Sequence, residues 1–487
     1  MVRIMTIATA ADLRARLSGI ASITPSGVDV HDEPRLRELM DDLAFEAVFN
    51  PDADLRDAVR WVIWSASQAL GCGSASIHEL YMARGRGEFG ATDFTVPAIN
   101  VRAATYLTAR QAFAAAVERD AATVIFEIAK SEMAYTDQRP AEYTAVILAA
   151  AMREGWTTPV FLQGDHFQFN RTKWATEPGP ELEGIKDLTR EAVAAGFFNI
   201  DVDSSTLVDL DQPTVPEQQK VNADNTAELT RLIRQLQPDG VTISIGGEIG
   251  EVGKSNSTEE ELRAYLDEYR RALGDDSVVG ISKVSIQTGT SHGGVPMPDG
   301  SIAAVKIDFD TLDRLSRVAR EEYGLAGCVQ HGASTLPEEA FHHFPEHGTA
   351  EVHLATGFQN ILYDEGGLPD ELRADMLEWC VATCAEERKE GETEEQFLYK
   401  TRKKAIGPFK RQLWTLPADA ADEIAANLRA KFGLLFDELK IAGTRELVER
   451  HLTFVPVARP LPAALGGGDA VAVTAGASVF EDDGSGE

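Results

Sequence analysis

The stretch PVFLQGDH at 159–166 is apolar for most of its length and then ends on an acid and a histidine. Two distant stretches behave alike: KVSIQTGTSH at 283–292 ends on His292 and LAGCVQH at 325–331 on His331, while GVTISIGGE at 240–248 ends on Glu248. Short apolar runs bounded by Gly, Pro or Asp read as buried strands. A histidine met alone is usually a hydrogen-bonded structural residue. Imidazoles and a carboxylate delivered together from separate strand ends are different, because a divalent cation needs convergent N and O donors on a rigid scaffold. Gly293 and Gly332 each follow one of these histidines, and glycine there allows close backbone approach and positive φ.

Working outward, eight such runs lie at 94–101, 123–129, 159–166, 197–203, 240–248, 283–289, 325–332 and 348–356. Between them the apolar residues fall at helical spacing, for example at 103–119, 141–154, 187–195, 226–237, 259–273, 310–323 and 337–344. Alternating strand and helix implies a parallel sheet. No Gly-rich phosphate turn follows the first run, and eight βα units can close a (β/α)8 TIM barrel, whose site lies at the strand C-terminal ends. All four candidate ligands sit at such ends. Residues 1–85 carry helical patterning and read as an N-terminal extension before a barrel at 86–415. A helical segment at 416–465 follows, and 466–487 is Gly-rich and acidic, the composition of a flexible tail.

The 487 residues carry 46 basic and 78 acidic side chains, a formal charge of −32 that repels nucleic-acid backbones and anionic membrane surfaces. Four cysteines in a chain this long make no disulfide framework, and Cys380 and Cys384 read as buried small side chains on one helix face. With no signal-like leader and no apolar run of membrane-spanning length, a cytoplasmic protein is expected. A homo-oligomer is also expected.

At these residues the chain resembles the class II, metal-dependent ketose-bisphosphate aldolases, which include fructose- and tagatose-bisphosphate aldolases. The likeness spans roughly 81–359 and runs through FTVPAINV, TVIFEIAKS, GDHF, NIDVDSS, GGEIGEVG, GTSHGG, QHGAS and EVHLATGFQN in order. It implies that His166, His292 and His331, with Glu248, hold one divalent metal, Zn²⁺ by preference. It implies that Asp165 handles the proton at the aldehyde carbonyl or its alcohol. Gly293, Gly332 and Ser334 fall where such enzymes hold the substrate phosphate, Asn100 near a loop base, and Thr356 at a further substrate position. The activity implied is that of an aldehyde-lyase, cleaving or forming a C–C bond of a phosphorylated ketose through a metal-stabilised enediolate. Such a carbanion needs no Schiff-base lysine when a cation holds its oxygens.

The departures are specific. After Glu248 the loop reads EVGKSNSTEEE, so the acidic base of the family falls to Glu251, or to Glu259, which also reads as a first-turn acid behind a Ser257 or Thr258 cap. His353 stands where the family has an asparagine, Ala355 where it has an acid, and Ala129 followed by Lys130 where it has a serine. His353 and Lys130 are therefore expected in the substrate pocket, and the ligand could differ from a standard triose-phosphate adduct. Two alternatives stay open: a non-catalytic, aldolase-derived subunit that binds metal or sugar phosphate, and an aldolase or epimerase for a non-standard substrate.

Overall fold

In the computed structural model of the chain, the described residues are 7–250, 255–275, 277–289, 307–334 and 336–468. Each of the eight apolar runs contains a strand: β1 Val96–Asn100, β2 Ile125–Ala129, β3 Val160–Gln168, β4 Asn199–Asp203, β5 Ser244–Glu248, β6 Lys283–Ile286, β7 Cys328–Gln330 and β8 Glu351–Leu354. Neighbours in sequence pair in parallel all the way round, and β8 pairs with β1, so the sheet closes into an eight-stranded barrel. Closure leaves no barrel edge, and the helices between strands cover the outside, which is the (β/α)8 arrangement.

The helices follow the expected signals. Thr258 caps the helix Glu259–Leu273 through a reciprocal capping box with Glu261. Asp308 caps Phe309–Glu321 by accepting from the Thr311 amide. Two helices start earlier than their apolar period suggests, at Pro178 and Val215, because proline in the first turn extends each toward its N-terminus. The stretch at 337–344, expected to be one helix, is a 3₁₀ turn at Glu338–Ala340 and a short helix at His343–Glu346.

The first 85 residues are not purely helical. Beside the helices Ala10–Leu17, Glu33–Phe49, Ala53–Ala69 and His78–Gly85 they hold a hairpin, Ala21–Thr24 with Gly27–Val30, and a two-residue strand, Ser74–Ala75, that pairs with the start of β3. This segment packs on the barrel's outer helix Pro140–Arg153 and shares its core. The C-terminal strap then packs on the segment: the indole N–H groups of Trp61 and Trp64 donate to the carbonyls of Arg459 and Val457 at 3.1 and 2.8 Å. The Arg459 guanidinium lies over the Trp64 ring, 3.4 Å from its centre. Both ends of the described chain are thus fastened by burying large side chains, each worth about 2–3 kcal/mol. The acidic tail beyond Gly468 lies outside the described residues.

Candidate active site

The second half of β3 breaks the strand rule. In a regular strand consecutive side chains point to opposite faces. Between β3 and β4 the register slips: Gly164 pairs with Ile200 but Phe167 with Val202, so Asp165 and His166 together oppose one residue, Asp201. That is a β-bulge, and His166 takes φ +40° within it, a left-handed conformation that a non-glycine adopts only where the surroundings hold it. Gly164 makes the bulge possible, since a Cβ there would come within 2.5 Å of the Phe167 ring. The consequence is that two adjacent residues both reach His331 at the C-terminal end of the barrel.

His166 Nε2 faces His331 Nδ1 at 2.5 Å, with the two rings nearly perpendicular. The other His166 nitrogen, Nδ1, bonds Asp203 Oδ2 at 3.0 Å and lies 3.4 Å from Glu248. Asp203 is itself fixed: Ser205 donates to its Oδ1 from both amide and hydroxyl, and Gln168 donates to Oδ2. A carboxylate behind one imidazole nitrogen sets the tautomer so that the other nitrogen presents a lone pair. Two imidazole nitrogens and the Glu248 carboxylate, all within 4.8 Å of one another, form a donor set suited to a divalent transition metal. Burial pulls the His166 imidazole down, but Asp165, Glu248 and Asp203 outweigh it and lift the group well above its usual range. A cation would compete with that proton for the same negative surroundings.

Glu248 ends β5, and the helix Val215–Leu236 braces that end. Asn222 donates to the Glu248 carbonyl at 2.7 Å and Gln219 to the Ile249 carbonyl at 2.8 Å. His292, Gly293 and Glu251 lie outside the described residues. Glu259 sits in the first turn of its helix, 3.0 Å from Arg263, as the helix-acid reading of that residue has it.

Below the histidines the barrel interior is charged. Lys283, at the start of β6, is almost fully buried; its ammonium donates to Gln163 Oε1 at 2.8 Å, to Asp201 at 2.9 Å and to Glu351. Glycine at 246 leaves room for this pair, because a Cβ there would meet Asp201 Oδ1 at 2.2 Å. Tyr81 donates its hydroxyl to Glu351. His353 stacks on His331 at 4.0 Å between ring centres. Its Nε2 lies 2.7 Å from Glu351, and its Nδ1 lies 3.1 Å from Glu127 and 3.2 Å from Asp165.

Burial raises Glu127 to about 8, with Asp165 adding to the effect. Burial likewise lifts Asp201 to about 6 against the pull of Lys283. Burial also works against ionised Glu351, yet Lys283 and His353 hold it far below the ordinary carboxylate range. His353 is the reverse case: burial opposes its charge, and Glu127 and Asp165 raise it well above the usual imidazole range. Lys283, Asp201, Glu127 and Glu351 escaped the sequence reading, because a single charged residue in or at the edge of a short apolar run does not show which face it takes. The signal that could have found them is the alternation itself, which puts Glu127, Gln163, Asp201, Lys283 and Glu351 on inward positions of five strands.

The remaining expected residues divide into two groups. Asn100, at the end of β1, donates to Glu132 at 2.5 Å and accepts from Arg102, which also pairs with Glu132 at 2.6 Å. Gly332 takes φ +67° after β7, Ser334 Oγ accepts from the Ala355 amide at 2.5 Å, and Thr356 opens the helix Thr356–Asp364. These surround the barrel's C-terminal end. Lys130 and His353 are buried, as Asp165, His166 and His331 also are. Lys130 is 7% exposed, donates to the Gln168 carbonyl at 2.7 Å and lies 3.8 Å from Glu181, while His353 is wholly enclosed with both ring nitrogens at carboxylates.

The family model of fructose-bisphosphate aldolase class-II matches residues 89–405. Among solved structures, a fructuronate-tagaturonate epimerase from Cohnella laeviribosi is 11% identical, with 87% of this chain and 90% of that one covered and a TM-score of 0.50. A fructose-bisphosphate aldolase from Campylobacter jejuni is 14% identical over 76% of this chain and 97% of that one, with a TM-score of 0.46. The YdjI aldolase from Escherichia coli K12 is 15% identical over 71% and 99%, with a TM-score of 0.37. At its identity the likeness to the epimerase is one of fold alone. No curated protein matches the chain.

Proposed function

Because this chain belongs to the class-II fructose-bisphosphate aldolase family, we propose that it is a metal-dependent lyase that cleaves or forms a C–C bond of a phosphorylated ketose. The observation that carries this reading is the bulge in β3, which turns both Asp165 and His166 toward His331. A strained, non-glycine left-handed residue at the mouth of a barrel is a device for placing a ligand and a proton-transfer group side by side.

The proposed metal ligands are His166 and His331, with Glu248 at or beside the ion and His292 as the third imidazole. N and O donors suit Zn²⁺, and Mn²⁺, Co²⁺ or Fe²⁺ would also fit. When bound, the cation supplies Lewis-acid polarisation of a substrate carbonyl. Asp165 is the proposed proton-transfer group at the aldehyde oxygen, held in place because its neighbour in sequence is a ligand. Beside it, His353 Nδ1 lies 3.2 Å from Asp165, and against the cost of burial Glu127 and Asp165 raise that imidazole above its usual range, so the proposed role of His353 is to hold Asp165 in place. Gly332 and Ser334, with Gly293, are the proposed phosphate grip, Asn100 and Thr356 complete the pocket, and Lys130 would act at its edge. Glu251 is the proposed loop base.

The test is a panel of ketose mono- and bisphosphates offered to the metal-depleted and the metal-reconstituted protein, with triose-phosphate release as the readout. The proposal expects release from at least one ketose phosphate by the reconstituted protein only. Epimerised product with no triose phosphate would replace the lyase by an epimerase. Ligand binding without turnover would leave a binding subunit.

A further inference from the structure

At the other end of the barrel lies a second convergence of nitrogen and oxygen donors. The sequence FHHFPEHG at 341–348 places His342, His343, Glu346 and His347 on one short segment, and one ligand atom from each of His342, His343 and Glu346 falls within 4.8 Å of the others. His343 Nδ1 lies 3.1 Å from Glu346 Oε2 and His342 Nε2 lies 3.9 Å from the same oxygen. The two imidazole ring centres are 4.0 Å apart. Phe309 packs against His343 at 5.1 Å and stacks on His347 at 5.3 Å, so the segment has a fixed apolar backing.

The opposite nitrogen of His342 faces a different element. Its Nδ1 lies 3.6 Å from Glu438, the last residue of the helix Ala418–Glu438. A carboxylate thus stands near one imidazole nitrogen while the other turns toward neighbouring donors, in a looser version of the 3.0 Å bond from His166 to Asp203. The location is also distinct. His343–Glu346 runs into β8 at its N-terminal end, and the carbonyl of Leu439, next to Glu438, accepts from the Thr95 amide just before β1. The barrel mouth is at the opposite ends of the same strands.

We propose that His342, His343 and Glu346, with Glu438 orienting His342, form a second site for a divalent transition-metal ion at the N-terminal end of the barrel. Two imidazoles and a carboxylate select a borderline cation such as Zn²⁺, Ni²⁺ or Cu²⁺ over Mg²⁺ or Ca²⁺. Three protein ligands leave a position for water, and side chains between about 39 and 47% exposed give an ion ready access. The large negative charge of the chain raises the local concentration of cations. Bound there, the ion fixes the approach to β8, which His342 and Glu438 link to the helix Ala418–Glu438, a stabilising role remote from catalysis.

The experiment is equilibrium dialysis of the full-length, metal-depleted chain against Zn²⁺, and separately Ni²⁺, with elemental analysis. It compares wild type, His342→Gln/His343→Gln, Glu438→Gln and His331→Ala. Wild type is expected to hold two ions, and the double variant one, with the activity of the reconstituted enzyme unchanged. His331→Ala is expected to keep the second ion while losing the other, so failure at the barrel mouth and failure here are distinguished. Glu438→Gln should weaken the second ion by about tenfold, the scale of a lost orienting carboxylate. Equal occupancy and affinity in wild type and the double variant, or a single ion in wild type that His331→Ala abolishes, would overturn the proposal.

Discussion

Replacing Asp203 by asparagine tests how the candidate metal centre is organised. Asp203 accepts from His166 Nδ1 at 3.0 Å, from Gln168 at 2.5 Å and from the Ser205 hydroxyl and amide at 2.6 and 3.1 Å. An asparagine keeps the shape and can keep the two Ser205 bonds through its carbonyl oxygen. Its NH₂ then faces His166 Nδ1, and two donors cannot share that contact. The imidazole relieves the conflict by moving its proton to Nε2, the atom turned toward His331, which removes the lone pair a cation needs. Loss of such an orienting carboxylate costs about 10- to 100-fold in metal affinity, or roughly 1.4–2.7 kcal/mol. Competition with a chromophoric chelator on metal-depleted protein reads the affinity, and circular dichroism checks the fold. Affinity equal to wild type, with the fold intact, would refute the idea that Asp203 sets the His166 tautomer.

Asp165→Asn is expected to keep metal and fold and to lower turnover by roughly 10² or more on a confirmed substrate, as measured by steady-state kinetics. Lys283→Met leaves Asp201 and Glu351 without their buried cation and should cost about 3–5 kcal/mol in denaturant unfolding. Adding Glu351→Gln should recover part of that loss, and strict additivity would deny the coupling. Glu127 has a folded-state value raised to about 8 from 4.5, so between those limits the native state binds a proton that the unfolded chain has released. Stability from this group therefore falls as pH rises through that window, by at most about 1.4 kcal/mol per pH unit. Glu127→Gln should flatten the slope of unfolding free energy against pH, and an unchanged slope would remove Glu127 as its source.

The barrel was legible because a parallel strand buried on both faces becomes a continuous apolar run, and eight of these stood at βαβ spacing. Glu33–Phe49 and Glu259–Leu273 have the ends that periodicity and capping predict. The hairpin at 21–30 was not legible: four-residue strands are too short to show alternation, and only the Pro25-Ser26-Gly27 turn hints at it. At the site, His166, Glu248 and His331 were readable from strand ends. The bulge that joins Asp165 to His166 was not, since a register slip belongs to a pair of strands and leaves no mark on one. Asp203 was hidden for a related reason, in that its role exists only beside His166. The Lys283 network needed the closed barrel to bring inward residues of five strands together.

The most direct measurement is anomalous diffraction at the zinc edge from crystals of the protein loaded with Zn²⁺. The account predicts a strong peak at the C-terminal end of the barrel, bonded to His166 Nε2 and His331 Nδ1 with Glu248 at or next to the ion. Density for Zn²⁺ only elsewhere, with His166 and His331 still hydrogen-bonded to each other, would contradict it.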